Sequence, residues 1–371
     1  MKQELTYWVT LAMIPKMWTR RKNEIFVKCY MHSPRITIVQ LFEDSSLWDE
    51  LGLSTDETAL FAEAKSQLAN NSFLVEDLLA QGYNIIPLNS PDYPQSLKNN
   101  LKQGAPSVIF TKGNIQLLKK DSVAVVGSRN ANELSLKFTS NIAHEQVTNN
   151  RVIVSGFAKG VDRQALDAAI EKNGESIIVL PQGITTFGTG FKQYYKYIMQ
   201  GKVLVLSPFH PKAPWSVEYA MARNPIIYGL ATRIYVAQSD DKGGTWSGVV
   251  DGLRKGRDIY VRFPERREKN ANILLIQKGA KAVDLNGMSI SENILQTLRD
   301  DSLDNYEQVI IQYLASGAKN SKEIQLKIKV AWSDTKIKKY LRQLASIEEF
   351  KIKNKIYFRL KGNASPTLFD F

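Results

Sequence analysis

The stretch that most narrows the possible folds lies between residues 106 and 283. Short β-rich runs recur along it: SVIF, SVAVV, RVIVS, SIIVL, KVLVLS, RIYVA, DIYVR and KAV. None shows the polar alternation of a strand with one wet face, so both faces are expected to be buried, as in a parallel sheet. Most neighbouring runs are separated by a helix-length segment, such as ELSLKFTSNIAHEQV or VDRQALDAAIEKNG. Alternating strand and helix predicts an α/β domain built on a doubly wound, mostly parallel sheet.

The flanks read differently. Residues 1–82 carry ELTYWVTLAMI, ETALFAEAKSQL and FLVEDLLAQ, with apolar residues at helical spacing, which predicts a small helical domain. The segment GYNIIPLNSPDYPQSL changes character, its Pro and Asn residues marking turns around a short strand, NIIPL. The α/β domain is expected over 83–286, a linker over 287–304 and a third unit over 305–362, ahead of a tail at 363–371. In that third unit, one amphipathic helix ends at Gly317, and Ser321 and Ser333 are placed to cap two more. EEFKIKNKIYFRL alternates like a hairpin turning at Lys353–Asn354. Three helices and a hairpin form a winged-helix pattern.

Charge points to a partner class. The 371 residues hold 49 Lys plus Arg against 37 Asp plus Glu, a formal net charge of +12. Such an excess favours a polyanion, because each neutralised phosphate releases counterions. Cys29 is the single cysteine and there are three histidines. A cysteine-rich zinc site and an intrachain disulfide are therefore excluded, which fits a reducing, cytoplasmic setting. No apolar run has the length of a bilayer span. No cofactor motif and no complete catalytic constellation is present, so a binding protein rather than an enzyme is expected.

Three strand-to-helix corners are candidates for anion binding. In VAVVGSRNANEL, Gly127 lets backbone approach a ligand, the Ser128 amide is placed to face an anion, and Arg129 adds a fork-shaped cation. In IVSGFAKGVDRQALDAAI, Ser155 and Gly156 leave room for a phosphate, Lys159 neutralises it, Gly160 opens the turn and Asp162 is placed to cap the helix. Two such corners on adjacent strands would face one crevice at the carboxyl ends of the strands. The third corner is Gly243, Gly244 and Thr245, followed by Trp246, which either stacks a base or packs in the core. The run RKGRDIYVRFPERREKN at 254–270 either tracks a nucleic-acid backbone or is a solvated face. Lys336, Lys338, Lys339 and Arg342 ride on the last helix, which suits a major groove or a protein contact.

These corners carry a resemblance. GSR at 127–129, SGFAKGVDRQALDAAI and SIIVLPQGI resemble the central domain of the DprA (DNA-processing protein A, or Smf) family, as do PDYPQSL and VIFTKGNIQLL before them. The resemblance implies an extended Rossmann-like sheet with an N-terminal helical (SAM-like) domain and a C-terminal winged helix. It also implies single-stranded DNA bound in a basic cleft, loading of a RecA-type recombinase, and a homodimer formed through the Rossmann-like domain. Arg129 and Lys159 would be the main phosphate contacts. Arg223 and Asn224 match an RNR segment whose second arginine is Pro225 here. The turn after SIIVL, PQGITTFGTGFKQYYKYI, and the stretch KGGTWSGVVDGLRKGRDIYVR also depart from the family pattern. Those departures keep two other readings in view: a sensor of a nucleotide-derived small ligand, and a phosphoribohydrolase similar to LOG-type enzymes. The second needs a carboxylate near the sugar; the position three after Thr245 is Gly248, so Glu218 or Asp251 would have to fold into place.

Overall fold

The computed structural model describes residues 2–265, 268–290, 306–328, 332–352 and 355–362. The chain divides into two compact units, 1–289 and 290–371.

The first unit opens with six helices: α1 (Lys2–Met13), α2 (Thr19–Met31), α3 (Ile38–Glu43), α4 (Ser46–Glu50), α5 (Thr55–Ser66) and α6 (Leu68–Ala80). Capping boxes start α3 at Thr37 and α5 at Ser54, each satisfying two orphan helix donors. Trp8, Phe42 and Phe61 are buried between the helices, and their cluster runs on without a break into Val108, Phe110 and Val205 of the sheet. Polar contacts reinforce the seam. The Asn23 amide of α2 donates to the carbonyls of Gln103 and Ala105 at 2.8 and 2.7 Å. The helices thus belong to the same compact unit as the sheet.

The sheet follows: β1 (Asn84–Pro87), α7 (Gln95–Leu101), β2 (Val108–Gly113), β3 (Ser122–Val126), α8 (Glu133–Thr148), β4 (Val152–Ser155), α9 (Val161–Glu171) and β5 (Ser176–Val179). It continues with α10 (Gly188–Met199), β6 (Val203–Ser207), α11 (Val217–Leu230), β7 (Arg233–Val236), α12 (Gly243–Arg254), β8 (Ile259–Arg262), α13 (Asn272–Gln277) and β9 (Lys281–Val283). The strand order is β1-β2-β6-β5-β4-β3-β7-β8-β9. The seven strands from β6 to β9 in that order are parallel, and β1 and β2 are antiparallel additions at one edge. Every residue of β3, β4, β5 and β6 is buried. This is the burial that their unalternated sequences predicted. The winding reverses between β3 and β7, and at such a switch point the flanking loops part and leave a crevice.

The second unit holds α14 (residues 306–314), β10 (Lys319–Asn320), α15 (Ser321–Ile328), α16 (Asp334–Gln343), β11 (Ile347–Ile352) and β12 (Lys355–Leu360). Its strands form a β10-β12-β11 sheet over a core that includes Leu314, Ile324, Leu341 and Phe358. Helices and a small antiparallel sheet are present in this unit. Ser333 caps α16 by accepting from the Lys336 amide. Ser321 does not cap α15. Asn320 does, its Oδ1 accepting from the Lys322 and Glu323 amides while the Glu323 carboxylate accepts from the Asn320 amide. Ser321 instead donates to Asp334. The expected hairpin turn at Lys353–Asn354 and residues 291–304 of the expected linker lie outside the described residues.

Candidate nucleic-acid interface

The two glycine corners meet at the switch point. Gly160 sits at φ +84°, and a Cβ there would lie 2.5 Å from the Ser128 carbonyl and 2.7 Å from that of Arg129. Only glycine lets the second corner press against the first at this distance. The Val161 amide donates to the Ser128 carbonyl at 3.3 Å and closes the contact.

The surface that results is a cleft of two lobes. One, of 390 Å³, is lined by residues 126–130 of the first corner, Arg223 and Asn224 of α11, and Lys242–Thr245 before and within α12. The other, of 230 Å³, is lined by Arg129, Lys159, Phe157, Phe187, Trp215 and Arg223, among others. Arg129 and Arg223 border both lobes. Arg129 and Lys159 therefore lie on the same side of the sheet, as the paired corners predicted. Both side chains are exposed, and among the described residues neither has an ion pair or side-chain hydrogen bond. With Lys242, they are exposed cations of the cleft that no described carboxylate pairs.

Other residues singled out in the sequence do different work. The Ser155 hydroxyl is buried and donates to the Val125 carbonyl at 2.7 Å, so it offers nothing to a phosphate. Gly156 makes room for a side chain rather than a ligand, since a Cβ there would fall 1.6 Å from Nη1 of Arg223. Gly127 is needed for packing under Val161, 2.6 Å from a Cβ. The Ser128 amide is engaged with the Gln238 carbonyl at 2.9 Å, so it does not face an anion. Asp162 does not cap α9, whose N-cap is Gly160. It is buried and faces Arg223 at 3.9 Å. Arg223 is not a surface phosphate contact either. It is 5% exposed, with Nη1 donating to the Val179 carbonyl at 2.9 Å. Burial pushes the Asp162 carboxyl above the ordinary carboxylate range and the guanidinium below its own. Their mutual attraction opposes both shifts. Arg223 is a buried floor of positive charge beneath Arg129.

The third corner brings a helix N-terminus to the same cleft. The N-cap of α12 is Lys242, which makes no side-chain cap. Gly243, Gly244 and Thr245, the first residues of this 12-residue helix, line the larger lobe together with Arg129. Uncapped amides and the helix dipole favour negative charge at that point. Asn224 donates to the Gly244 carbonyl at 3.3 Å and fixes the turn. Lys242, Asn130 and Trp215 were not singled out in the sequence. The position of Lys242, directly before the glycine pair, was the available signal. Replacing Lys242 with aspartate is expected to stabilise α12 by about 0.5–2 kcal/mol through a new cap. The same change should weaken polyanion binding. Thermal melts and oligonucleotide titrations on one sample check both halves.

The remaining sites resolve plainly. Trp246 lies outside both lobes, with the Lys278 ammonium 5.8 Å from its ring centroid. In the 254–270 run, Arg254 and Lys255 pair with Asp251, and Arg257 donates to the Tyr228 and Ala231 carbonyls. Arg262 is buried against Glu268. Burial alone would raise the Glu268 carboxyl, but bonds from Arg262, the Glu265 amide and Asn132 bring it down to about 2. Arg262 and Glu268 thus brace the first corner through Ser135 and Asn132, while Arg254 and Lys255 are tied to Asp251 and Arg257 to the end of α11. On α16, Lys338 pairs with Asp334, Arg342 with Glu349, and Lys336 covers the Trp332 ring. Neither Glu218 nor Asp251 lines the cleft, so neither is placed as a phosphoribohydrolase would need. Among the described residues there is no cluster suited to a metal and no helix long and apolar enough to cross a membrane.

Fold and site together define a Rossmann-like protein with a cleft at its switch point, lined by Arg129, Lys159, Arg223 and Lys242 together with the carboxylates Asp162 and Asp240. The model of the family "DNA recombination-mediator protein A" matches residues 84–295. The DNA processing protein DprA of Bacillus subtilis is 31% identical over 206 residues, covering 55% of this chain and 69% of that protein. Its Streptococcus pneumoniae namesake is 34% identical over 157 residues, covering 42% of this chain and 55% of that one. The X-ray structure of the S. pneumoniae protein superposes with a TM-score of 0.62 at 27% identity, covering 75% of this chain and 94% of that one. The chain belongs to the DNA recombination-mediator protein A family.

Proposed function

We propose that the protein binds single-stranded DNA in the two-lobed cleft, with little sequence preference, and presents it to a RecA-type recombinase. The observation that carries this reading is the pair of free cations, Arg129 and Lys159, beside the uncapped N-terminus of α12. Successive phosphates would lie on Lys159, Arg129 and the α12 amides. Arg223 and Asp162 serve as positioning residues, holding the second corner and α11 together. The cleft groups named here bind and orient a strand, and no bond-breaking step is assigned to them. A homodimer through the Rossmann-like domain would set two such clefts on one strand, and light scattering of the full chain measures that state.

Band-shift titrations with single- and double-stranded oligonucleotides at about 50 and 200 mM salt test the reading. Affinity should favour the single strand and fall with a log–log slope of about −0.7 per phosphate neutralised. Preference for duplex, or an affinity indifferent to salt, would sink it. One observation supports a second reading, the sensor of a nucleotide-derived ligand: the larger lobe, at 390 Å³, has the volume of a small-molecule site. Thermal stabilisation by a mononucleotide but not by an oligonucleotide would favour that alternative.

A further inference from the structure

Helix α11 is a wall shared by two cavities. Ala220, Met221 and Asn224 face the nucleic-acid cleft. Tyr219, Ala222 and Ile226 face a second cavity, of 450 Å³, at the seam between the N-terminal helices and the sheet. Its volume lies within the range of sites that hold small molecules. Phe209 and Tyr219 stack with ring centroids 4.4 Å apart, and this aromatic pair lines one side. Met13, Pro106 and Val108 make much of the rest apolar.

One buried cation lines this cavity. Lys22 is 6% exposed, and its Nζ donates to the Ala12 carbonyl at 2.6 Å, in the last turn of α1. It has no ion-pair partner among the described residues. An ammonium carries three donors, so two remain unused by that contact. The helix C-terminus offsets part of the charge, but no Asp or Glu lines the cavity. His210, also in the lining, adds no negative charge, and burial and then Lys212 push its pKa down. Burial draws Lys22 down to about 8, which still leaves it mainly charged near pH 7. A cavity with apolar walls, a ring-stacking surface and one under-satisfied cation suits an acid with a flat body.

We propose that the seam cavity binds a small organic monoanion with an apolar, ring-containing body, its acid group on the Lys22 ammonium and its ring against Phe209 and Tyr219. The site is separate from the nucleic-acid cleft and does not depend on what that cleft binds.

Calorimetric titration of the full chain with 2-naphthoate and its uncharged counterpart 2-naphthamide tests the proposal. The carboxylate should bind saturably at one site per chain and at least 10-fold more tightly than the amide. Lys22→Met should remove that preference. Ala222→Phe, which fills the cavity from α11, should abolish binding of both probes and keeps the test decisive if the Lys22 variant does not fold. Arg129→Ala should bind 2-naphthoate like the unmodified chain. The proposal is overturned if the two probes bind alike, if binding survives Ala222→Phe, or if Arg129→Ala eliminates it.

Discussion

Replacing Arg223 with methionine is expected to destabilise the larger unit by about 3–5 kcal/mol, the cost of breaking a buried ion pair by removing one partner. Methionine keeps most of the volume but leaves the Asp162 carboxylate buried without its counter-ion. Burial already raises that carboxyl, and the guanidinium is the main opposing influence. Without it the folded-state pKa rises further above the unfolded value. The folded variant then binds more protons than the unfolded chain, so its stability falls as pH rises through that window. Urea midpoints between pH 5 and 8 should therefore drop more steeply for the variant than for the unmodified protein. Adding Asp162→Asn should recover part of the loss, because a neutral amide no longer needs a cation. A single Arg223→Met variant within about 0.5 kcal/mol of the unmodified protein at pH 7 would show that the pair contributes little.

The second large effect concerns binding. The double variant Arg129→Ala, Lys159→Ala should lose on the order of 100-fold in affinity for a single-stranded oligonucleotide, since hydrogen bonds to charged groups contribute about 1.5–3 kcal/mol each. Its salt slope should also become shallower by about 1.4, twice the single-strand value per phosphate. Among the described residues neither side chain makes an ion pair, and both are exposed, so melting temperatures should barely move. That separates this variant from Arg223→Met, in which stability falls first. If the affinity drops but the slope is unchanged, the two cations act on something other than phosphates.

Much of the architecture was legible because burial on both faces leaves a simple trace. The runs SVAVV and KVLVLS contain almost no polar residue, and they became β3 and β6, wholly buried. The paired corners were legible for a related reason: glycine at a strand-to-helix turn marks a close approach. What the approach was for stayed hidden. Gly156 gives way to the Arg223 guanidinium, whose own position lies 67 residues later in the chain. Ser155 and the Ser128 amide are consumed by the Val125 and Gln238 carbonyls, a pairing that no local pattern records. Ser321 and Asn320 are both ordinary capping residues, and one residue of register decided between them.

The sequence by itself determined the class of fold and the family, and pointed to Arg129 and Lys159 at the glycine corners, because hydrophobic period, glycine placement and charge are properties of short segments. Tertiary structure alone decided which groups remain available to a ligand. Whether an amide, a hydroxyl or a guanidinium faces solvent depends on the strand or helix that lands beside it. Here the crossing of α11 over the ends of β4 and β5 buried Arg223 with Asp162, and left the α12 amides, Arg129 and Lys159 open.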